Sequence, residues 1–192
     1  MRTRYRSVMG GLLFSTTLIL TANANATLVS RLGGLAYYDT ATNLTWLSNA
    51  DAGYGSVYDS ADGTTDGKMT WANANAWAAS LHVGGVTGWR LPDVSPINGA
   101  TYNYNYSMDG STDWGYNISA QGTVYAGSKA SEMAYLYYNT LGNSAAYDVS
   151  GTQRSCATTT CFSNTGPFTN VQSSVYGAGY WTATADAADA TS

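Results

Sequence analysis

The sequence predicts an α+β domain built from two helices and a few short strands. The block MTWANANAWAASL (69–81) places small and aromatic residues at helical spacing, and SEMAYLYYNTLG (131–142) places Met, Leu and Tyr side chains at helical spacing. Two short β-prone runs, 35–39 and 44–47, flank a turn-forming segment. The chain has 192 residues, and about 166 of them follow the expected leader, which is enough for one domain with a core.

The N-terminus predicts a secretory signal peptide over residues 1–26. Small residues at the −3 and −1 positions favour cleavage after Ala26. The apolar run, 8–20, is shorter than the roughly 20 residues that span a bilayer, and the basic region before it contains Arg2, Arg4 and Arg6. We expect a bacterial Sec pathway to deliver the protein to the medium or the cell surface, with the periplasm as an alternative. No membrane insertion is expected after the signal is removed.

The charge of the chain excludes several partners. Three of the eight basic residues lie in the signal segment and all twelve acidic residues follow it, which leaves five basic against twelve acidic residues, a net charge of −7. A nucleic-acid-binding protein requires a basic face, as does a protein that binds anionic membranes. We therefore expect no nucleic acid among the partners.

The remaining elements follow in order along the chain. Residues 39–43 have turn chemistry and join the two β-prone runs into a hairpin. The loop 51–68 is rich in Gly, Asp and Ser, and Thr70 is expected to cap a helix from Trp71 to about Leu81. A strand is expected at 89–91, and it is expected to end there because Pro92 cannot donate to a β-ladder.

The second half of the domain alternates loops with short elements. Residues 95–126 form a long insertion without periodicity, and 145–165 form a loop that carries the cysteines. Ser128 is predicted to cap a second helix that ends before Gly142, and residues 180–184 are predicted to form a last strand. The tryptophans expected in the core are Trp71, Trp77 and Trp89.

The two cysteines of the chain, Cys156 and Cys161, lie in the motif CATTTC. In an oxidising compartment such a pair is expected to form a structural disulfide. Loop-closure entropy gives so short a loop about 2 kcal/mol of stabilisation. A redox pair or a metal site is the alternative, although a metal site would require further soft ligands.

Five blocks of the chain resemble the Lcl C-terminal domain family, which is named after a bacterial collagen-like adhesin. They are YYDTATNLTWLSNA (37–50), MTWANANAWAASL (69–81), TGWRLPD (87–93), SEMAYLYYNTLG (131–142) and GPFTNVQSSVYGAGYW (166–181). The resemblance covers nearly all of residues 27–192 in the family's order. It implies a C-type-lectin-like domain, also related to formylglycine-generating enzymes, with two helices beside small, irregular antiparallel sheets.

The resemblance also implies a setting and a partner. Similar domains occur in exported bacterial proteins that often end in a PEP-CTERM sorting signal, and in the adhesin such a domain binds sulfated polysaccharide. Family members usually continue past the YWTAT segment (180–184) through further strands, so the domain is expected to be truncated at its C-terminus. The calcium-dependent sugar motifs of true C-type lectins are absent from the sequence.

The segment TYNYNYSMDGSTDWGYN (101–117) has the composition of a sugar-binding surface. Aromatic faces stack on the apolar faces of sugar rings, and carboxylates accept hydrogen bonds from their hydroxyls. The candidate ligand-binding residues are Tyr102, Tyr104, Tyr106, Asp109, Asp113, Trp114 and Tyr116. The same pattern also fits an exposed loop that packs on itself, with tyrosine as a polar-tipped filler.

Other polar residues have simpler interpretations. The loop 59–67 is rich in Asp and Gly, which suggests calcium but departs from the EF-hand pattern, so no cofactor is expected. Glu132, the only glutamate, is expected to stabilise a helix start, and His82 is expected at the surface. No residue is predicted to be catalytic.

Three functions remain open on the sequence. The first is a cell-surface or extracellular binding and adhesion module for a glycan or matrix polymer. The second is an oxidoreductase related to formylglycine-generating enzymes, which use a Cys-x4-Cys pair with the spacing of Cys156 and Cys161. The third is a structural protein of an extracellular matrix.

Overall fold

The computed structural model describes residues 27–59, 63–158, 161–172 and 179–185, and it has an α+β fold with two helices and two small sheets. The expected signal segment lies outside the described residues. Within the described ranges, no helix combines the length and the apolar character that crossing a membrane requires.

The larger sheet is a three-stranded antiparallel meander. Its strands are β1 (Leu28–Arg31), β2 (Ala36–Asp39) and β3 (Leu44–Leu47), in that order across the sheet. The hairpin of β2 and β3 confirms the prediction, whereas β1 is an additional strand. Asp39 is fully buried at the end of β2, where its carboxylate accepts hydrogen bonds from the Ala41 amide at 2.9 Å and the Thr140 hydroxyl at 2.7 Å. It therefore ties the sheet to the second helical segment.

The first helix, α1 (Trp71–Ser80), begins where the sequence predicts. Thr70 caps it, because its hydroxyl accepts a hydrogen bond from the Asn73 amide at 3.2 Å. The helix buries Ala74 and Ala78 against Leu91, and Met69, Trp77 and Ala183 pack around this cluster. The small alanine side chains allow the segment around Leu91 to approach this helix face closely.

The expectation that three tryptophans form the core is wrong. Trp71, Trp77 and Trp89 are all partly exposed, and of these only Trp77 packs against the buried cluster. The Trp71 indole donates to the Thr182 carbonyl at 2.9 Å, and the Trp89 indole donates to the Val86 carbonyl at 3.1 Å. An indole N–H requires a polar partner, which places these large rings at the edge of the core.

The cap of the second helix lies three residues after the predicted one. Helix α2 (Glu132–Tyr135) continues as a π-helical turn, Leu136–Thr140. Its cap is Ser131, whose hydroxyl accepts from the Ala134 amide at 3.3 Å, whereas Ser128 accepts from the Ala130 amide in the preceding turn. The predicted end is confirmed, since Gly142 has a φ of 70° just past the helical turns.

The smaller sheet consists of β4 (Tyr106–Ser107) and β5 (Trp114–Gly115). Its two strands are parallel, whereas antiparallel sheets were expected. The predicted strands at 89–91 and 180–184 are wrong, since the described residues of neither segment form a strand. The Ala183 amide donates a backbone hydrogen bond to the carbonyl of Pro92, which directly follows the first segment. This contact brings the two segments together without forming a β-ladder. Local β-propensity cannot supply the partner that a strand requires.

Candidate functional site

The tyrosine-rich insertion is organised around the carboxylate of Asp113. Oδ1 accepts a hydrogen bond from the Ile97 amide and Oδ2 accepts one from the Asn103 amide, each at 2.7 Å. The Asp113 amide in turn donates to the Asn103 carbonyl at 2.9 Å. This single side chain therefore holds together the two stretches that carry Tyr102 and Trp114.

The turn between β4 and β5 closes around Asn117, which is buried and has a φ of 61°. Its side-chain amide donates to the Met108 carbonyl at 2.5 Å and to the Tyr147 carbonyl at 3.0 Å. Gly110 passes so close that a Cβ there would lie 2.2 Å from the Asn117 carbonyl oxygen. Glycine is therefore required at this position.

A groove of about 500 Å³ runs along the insertion. Two stretches of chain that are distant in sequence line it: residues 94–114, which include Val94 and Asp113, and the C-terminal segment. The insertion supplies Tyr102, Tyr104 and Trp114, and the C-terminal segment supplies Thr182, Thr184 and Ala185. The volume lies within the range of about 300–1,000 Å³ that is typical of small-molecule sites.

The three aromatic rings of the groove are accessible to solvent. The exposed fractions are 37% for Tyr102, 45% for Tyr104 and 60% for Trp114. The two tyrosine rings stack on each other with centroids 5.4 Å apart, and Trp114 contacts the ring of Tyr106 edge-on. Within the described residues, the indole N–H of Trp114 donates no hydrogen bond, so it can donate to a ligand.

The C-terminal contribution to the groove is fixed by side chains. The Thr184 hydroxyl donates to the Val94 carbonyl at 2.7 Å and accepts from the Val94 amide at 3.0 Å. The hydrogen bond from Trp71 to the Thr182 carbonyl holds the segment against α1. This wall of the groove therefore depends on the packing of α1.

The groove has a mainly apolar lining and carries little charge. Asp113 is the only charged residue among its described lining residues, which include no lysine, arginine or histidine. The Tyr102 hydroxyl donates to the Val94 carbonyl at 2.8 Å, so this ring is held by its hydroxyl and by its stacking on Tyr104. Such a surface offers acceptors and ring faces but no cation for a sulfate or carboxylate.

A smaller cavity of about 80 Å³ adjoins the groove. Val94 and Asp113 line both spaces. The other lining residues of the small cavity are Ser95, Ile97, Ile118, Ala130 and Ser131. Its wall therefore combines four apolar residues with two serines and one carboxylate.

The seven predicted ligand residues divide into two groups. Tyr102, Tyr104, Asp113 and Trp114 line the groove, whereas Tyr106, Asp109 and Tyr116 do not. The ring of Tyr106 makes edge-to-face contacts with Trp114 and with Tyr116. Burial is the main cause that raises the pKa of Tyr116, and the neighbouring tyrosines raise it further. Hydrogen bonds from the Ser111 hydroxyl and amide lower the pKa of Asp109, which caps its own turn.

Sequence reasoning does not identify Val94, Thr182, Thr184 or Ala185 as site residues. The alternation of Thr182 and Thr184 was an available signal, because residues two apart in an extended chain face the same side. Their partner, however, lies 90 residues away in the sequence, which local patterns do not reveal.

The loop considered for calcium is closed by Asp59, which is 1% exposed. Its two carboxylate oxygens accept hydrogen bonds from the Gly55 and Gly67 amides, each at 2.8 Å. Residues 60–62 of this loop lie outside the described ranges. Among the residues with a described position, no three His, Cys, Asp or Glu side chains group as metal ligands. Asp59 organises the loop through these hydrogen bonds, and the expectation that the loop binds no cofactor stays a prediction.

The cysteines form the expected disulfide. Cys156 and Cys161 are joined with their Cα atoms 4.9 Å apart, and Cys156 belongs to a 3₁₀ turn, Ser155–Thr158. The pairing is thereby confirmed. Its purely structural role stays a prediction.

Glu132 has more partners than a helix-start residue requires. Its carboxylate accepts two hydrogen bonds from the Arg90 guanidinium, at 2.7 and 2.8 Å, and one from the Asp93 amide at 2.8 Å. Burial raises its pKa, but the hydrogen bonds from Arg90 and Asp93 outweigh this and lower it. The residue therefore joins α2 to the chain that leads into the groove. His82 is exposed, as expected.

Comparison with known proteins finds no matching family model, no matching curated protein and no matching solved structure.

Proposed function

We propose that this protein is an exported binding module that holds a neutral carbohydrate in the groove beside Tyr102, Tyr104 and Trp114. The observation that carries the proposal is the presence of three exposed aromatic rings along one groove whose only charged described residue is Asp113. The sugar's apolar face stacks on the rings, and its hydroxyls donate to the carboxylate and accept from the Trp114 indole. The partner is an extracellular glycan or a matrix polymer.

Charge selects the class of glycan. A sulfated or uronic-acid polymer would meet the carboxylate of Asp113 and a chain whose net charge after the signal segment is −7. Among the described lining residues no cation compensates this repulsion. A neutral glycan is therefore the proposed ligand, in contrast to the sulfated polymer of the adhesin.

The wider setting is part of the same proposal. Secretion through the Sec pathway is proposed from the signal segment 1–26. A C-type-lectin-like fold class and membership of the Lcl C-terminal domain family are proposed from the sequence resemblance, and both fit an extracellular binding role. The module acts by binding, without catalysis. The oxidoreductase alternative has only the cysteine spacing behind it, so we do not propose it.

Two tyrosines of similar exposure provide a matched test. Tyr104 is 45% exposed in the groove, and Tyr54 is 58% exposed on the loop that precedes α1. A glycan array on the exported protein, with and without calcium, would first identify a ligand, and isothermal titration would then measure its affinity. We expect a Kd of about 0.1–1 mM, because an open aromatic platform buries little area.

Tyr104→Ala and Trp114→Ala should each weaken binding at least about tenfold, since each removes a stacking face. Tyr54→Ala should leave the affinity unchanged. Circular dichroism would show that all three variants are folded. Equal affinity of the folded Trp114→Ala variant and the parent would contradict the proposal, and the insertion would then be a self-packed surface loop.

A further inference from the structure

The small cavity of about 80 Å³ lies against the groove, because Val94 and Asp113 belong to the lining of both. Within the part of the chain that is described, its remaining lining is mostly apolar and contains no basic residue. A ligand group that reaches the small cavity from a sugar in the groove therefore lies beside Asp113. The position of Asp113 therefore restricts the charge and the hydrogen-bonding groups of a ligand substituent in the small cavity.

We propose that the sugar in the groove carries an acetamido group, so that the ligand is a glycan of N-acetylhexosamine units. This proposal rests on the carbohydrate-binding function proposed above. The acetyl methyl group enters the small cavity, the amide N–H donates to Asp113, and the acetamido carbonyl accepts from the hydroxyl of Ser131. One substituent thus satisfies the apolar wall, the carboxylate and the hydroxyl together.

The apolar part of the cavity suits a methyl group. Ile97 is buried, and the side chains of Val94, Ile118 and Ala130 complete the apolar lining. A volume of about 80 Å³ exceeds the roughly 10–15 Å³ that admits a single water molecule. An acetyl group fits this space, and its methyl group leaves water for an apolar surface.

The polar part of the cavity has the complementary hydrogen-bonding groups. Each oxygen of Asp113 already accepts one backbone amide, which fixes the carboxylate, and each oxygen can accept a second donor. The Ser131 hydroxyl accepts from the Ala134 amide and donates to no described residue, so its hydrogen is available to a carbonyl. The cavity thus has a partly buried acceptor in Asp113 and a partly buried donor in Ser131, which complement the N–H and the carbonyl of an amide.

Charge favours the acetamido group over two other sugar substituents, a carboxylate and an ammonium group. A carboxylate-bearing sugar would be repelled by Asp113. A free amino sugar would present an ammonium group to Asp113, but the apolar wall cannot replace the water around that cation. The neutral acetamido group has neither disadvantage.

A ligand series on the unaltered protein tests the proposal without any substitution. Isothermal titration with tetramers of N-acetylglucosamine, of glucose and of glucosamine compares the acetamido group with a hydroxyl and with an ammonium group. We expect the N-acetylated tetramer to bind about tenfold more tightly than the glucose tetramer, because it adds one buried methyl group and one pair of hydrogen bonds. An N-butanoyl tetramer should lose this advantage, because its longer acyl chain exceeds the cavity.

A substitution that fills the cavity provides the second test. Ala130→Leu should abolish the preference, so that the N-acetylated and glucose tetramers bind with about equal affinity. The affinity for the glucose tetramer should stay unchanged. Ala79→Leu, at an exposed position of α1, is the matched control and should retain the preference. If Ala130→Leu does not fold, the ligand series on the unaltered protein still decides.

The outcomes separate this inference from the function on which it rests. Equal affinity for the glucose and N-acetylated tetramers would overturn the acetamido proposal and leave carbohydrate binding intact. Tighter binding of the glucosamine tetramer would also overturn it, because Asp113 would then recognise a cation. Absence of binding to every glycan on the array and to all tetramers would overturn both proposals.

Discussion

Glu132 connects α2 to the chain that borders the groove, and its replacement by glutamine tests this connection. Glutamine keeps the shape of the side chain but places an amide N–H₂ opposite the Arg90 guanidinium, so two donors face each other. A hydrogen bond to a charged group contributes about 1.5–3 kcal/mol when it is shielded from solvent, and an exposed ion pair contributes about 0–1 kcal/mol. The Glu132 side chain is 17% exposed and that of Arg90 is 47% exposed. We therefore expect Glu132→Gln to lower the free energy of unfolding by about 1.5–2 kcal/mol at pH 7.

The pH dependence of this loss has a definite sign. The pKa of Glu132 is lowered in the folded protein, because the hydrogen bonds from Arg90 and Asp93 outweigh the effect of burial. A carboxyl group with a lowered pKa contributes stability that is present above its unfolded pKa, about 4.3, and that is lost as the pH falls through the folded value. The parent and the Glu132→Gln variant should therefore differ most near neutral pH and converge at lower pH.

Urea unfolding followed by the fluorescence of the six tryptophans measures both quantities. The control is Lys68→Met, which removes an ion pair with Asp66 whose lysine side chain is 83% exposed, and it should change stability by less than about 0.5 kcal/mol. A difference between the parent and Glu132→Gln that is the same at pH 7 and pH 3 would refute the electrostatic reasoning. An equal loss in Lys68→Met would show that the pair with Arg90 has no special geometry.

Two further predictions concern the framework around the site. Gly110→Ala should destabilise the domain by more than about 3 kcal/mol, because the added Cβ would lie 2.2 Å from the Asn117 carbonyl oxygen, whereas Gly99→Ala, with a φ of 73° and open space, should lose only about 1–2 kcal/mol. Thermal melting of the two variants compares them, and equal melting temperatures would contradict the close contact. Replacing Cys156 and Cys161 together by Ser should lower stability by about 2 kcal/mol and leave glycan affinity unchanged. Loss of affinity in the folded double variant would contradict a purely structural disulfide.

Elements with short-range signals are the ones that the sequence predicts correctly. The cap of α1 involves Thr70 and Asn73, three residues apart, so the pattern that specifies it lies within one helical turn. The start of α2 is different, because Ser128 and Ser131 are both chemically suitable caps. The contact of Glu132 with distant Arg90 accompanies the choice of Ser131, and that contact spans 42 residues. A local rule has no access to it.

The sequence by itself determined the hairpin of β2 and β3, helix α1, the disulfide between Cys156 and Cys161, and the presence of an aromatic insertion. Each depends on residues that are near one another in the chain. Tertiary structure decided that four of the seven proposed ligand residues share one groove, and that a small cavity adjoins it. The groove requires the hydrogen bonds between Thr184 and Val94, 90 residues apart. Hydrogen bonds across such a separation depend on how the whole chain packs, since each partner is chemically equally suited to many others.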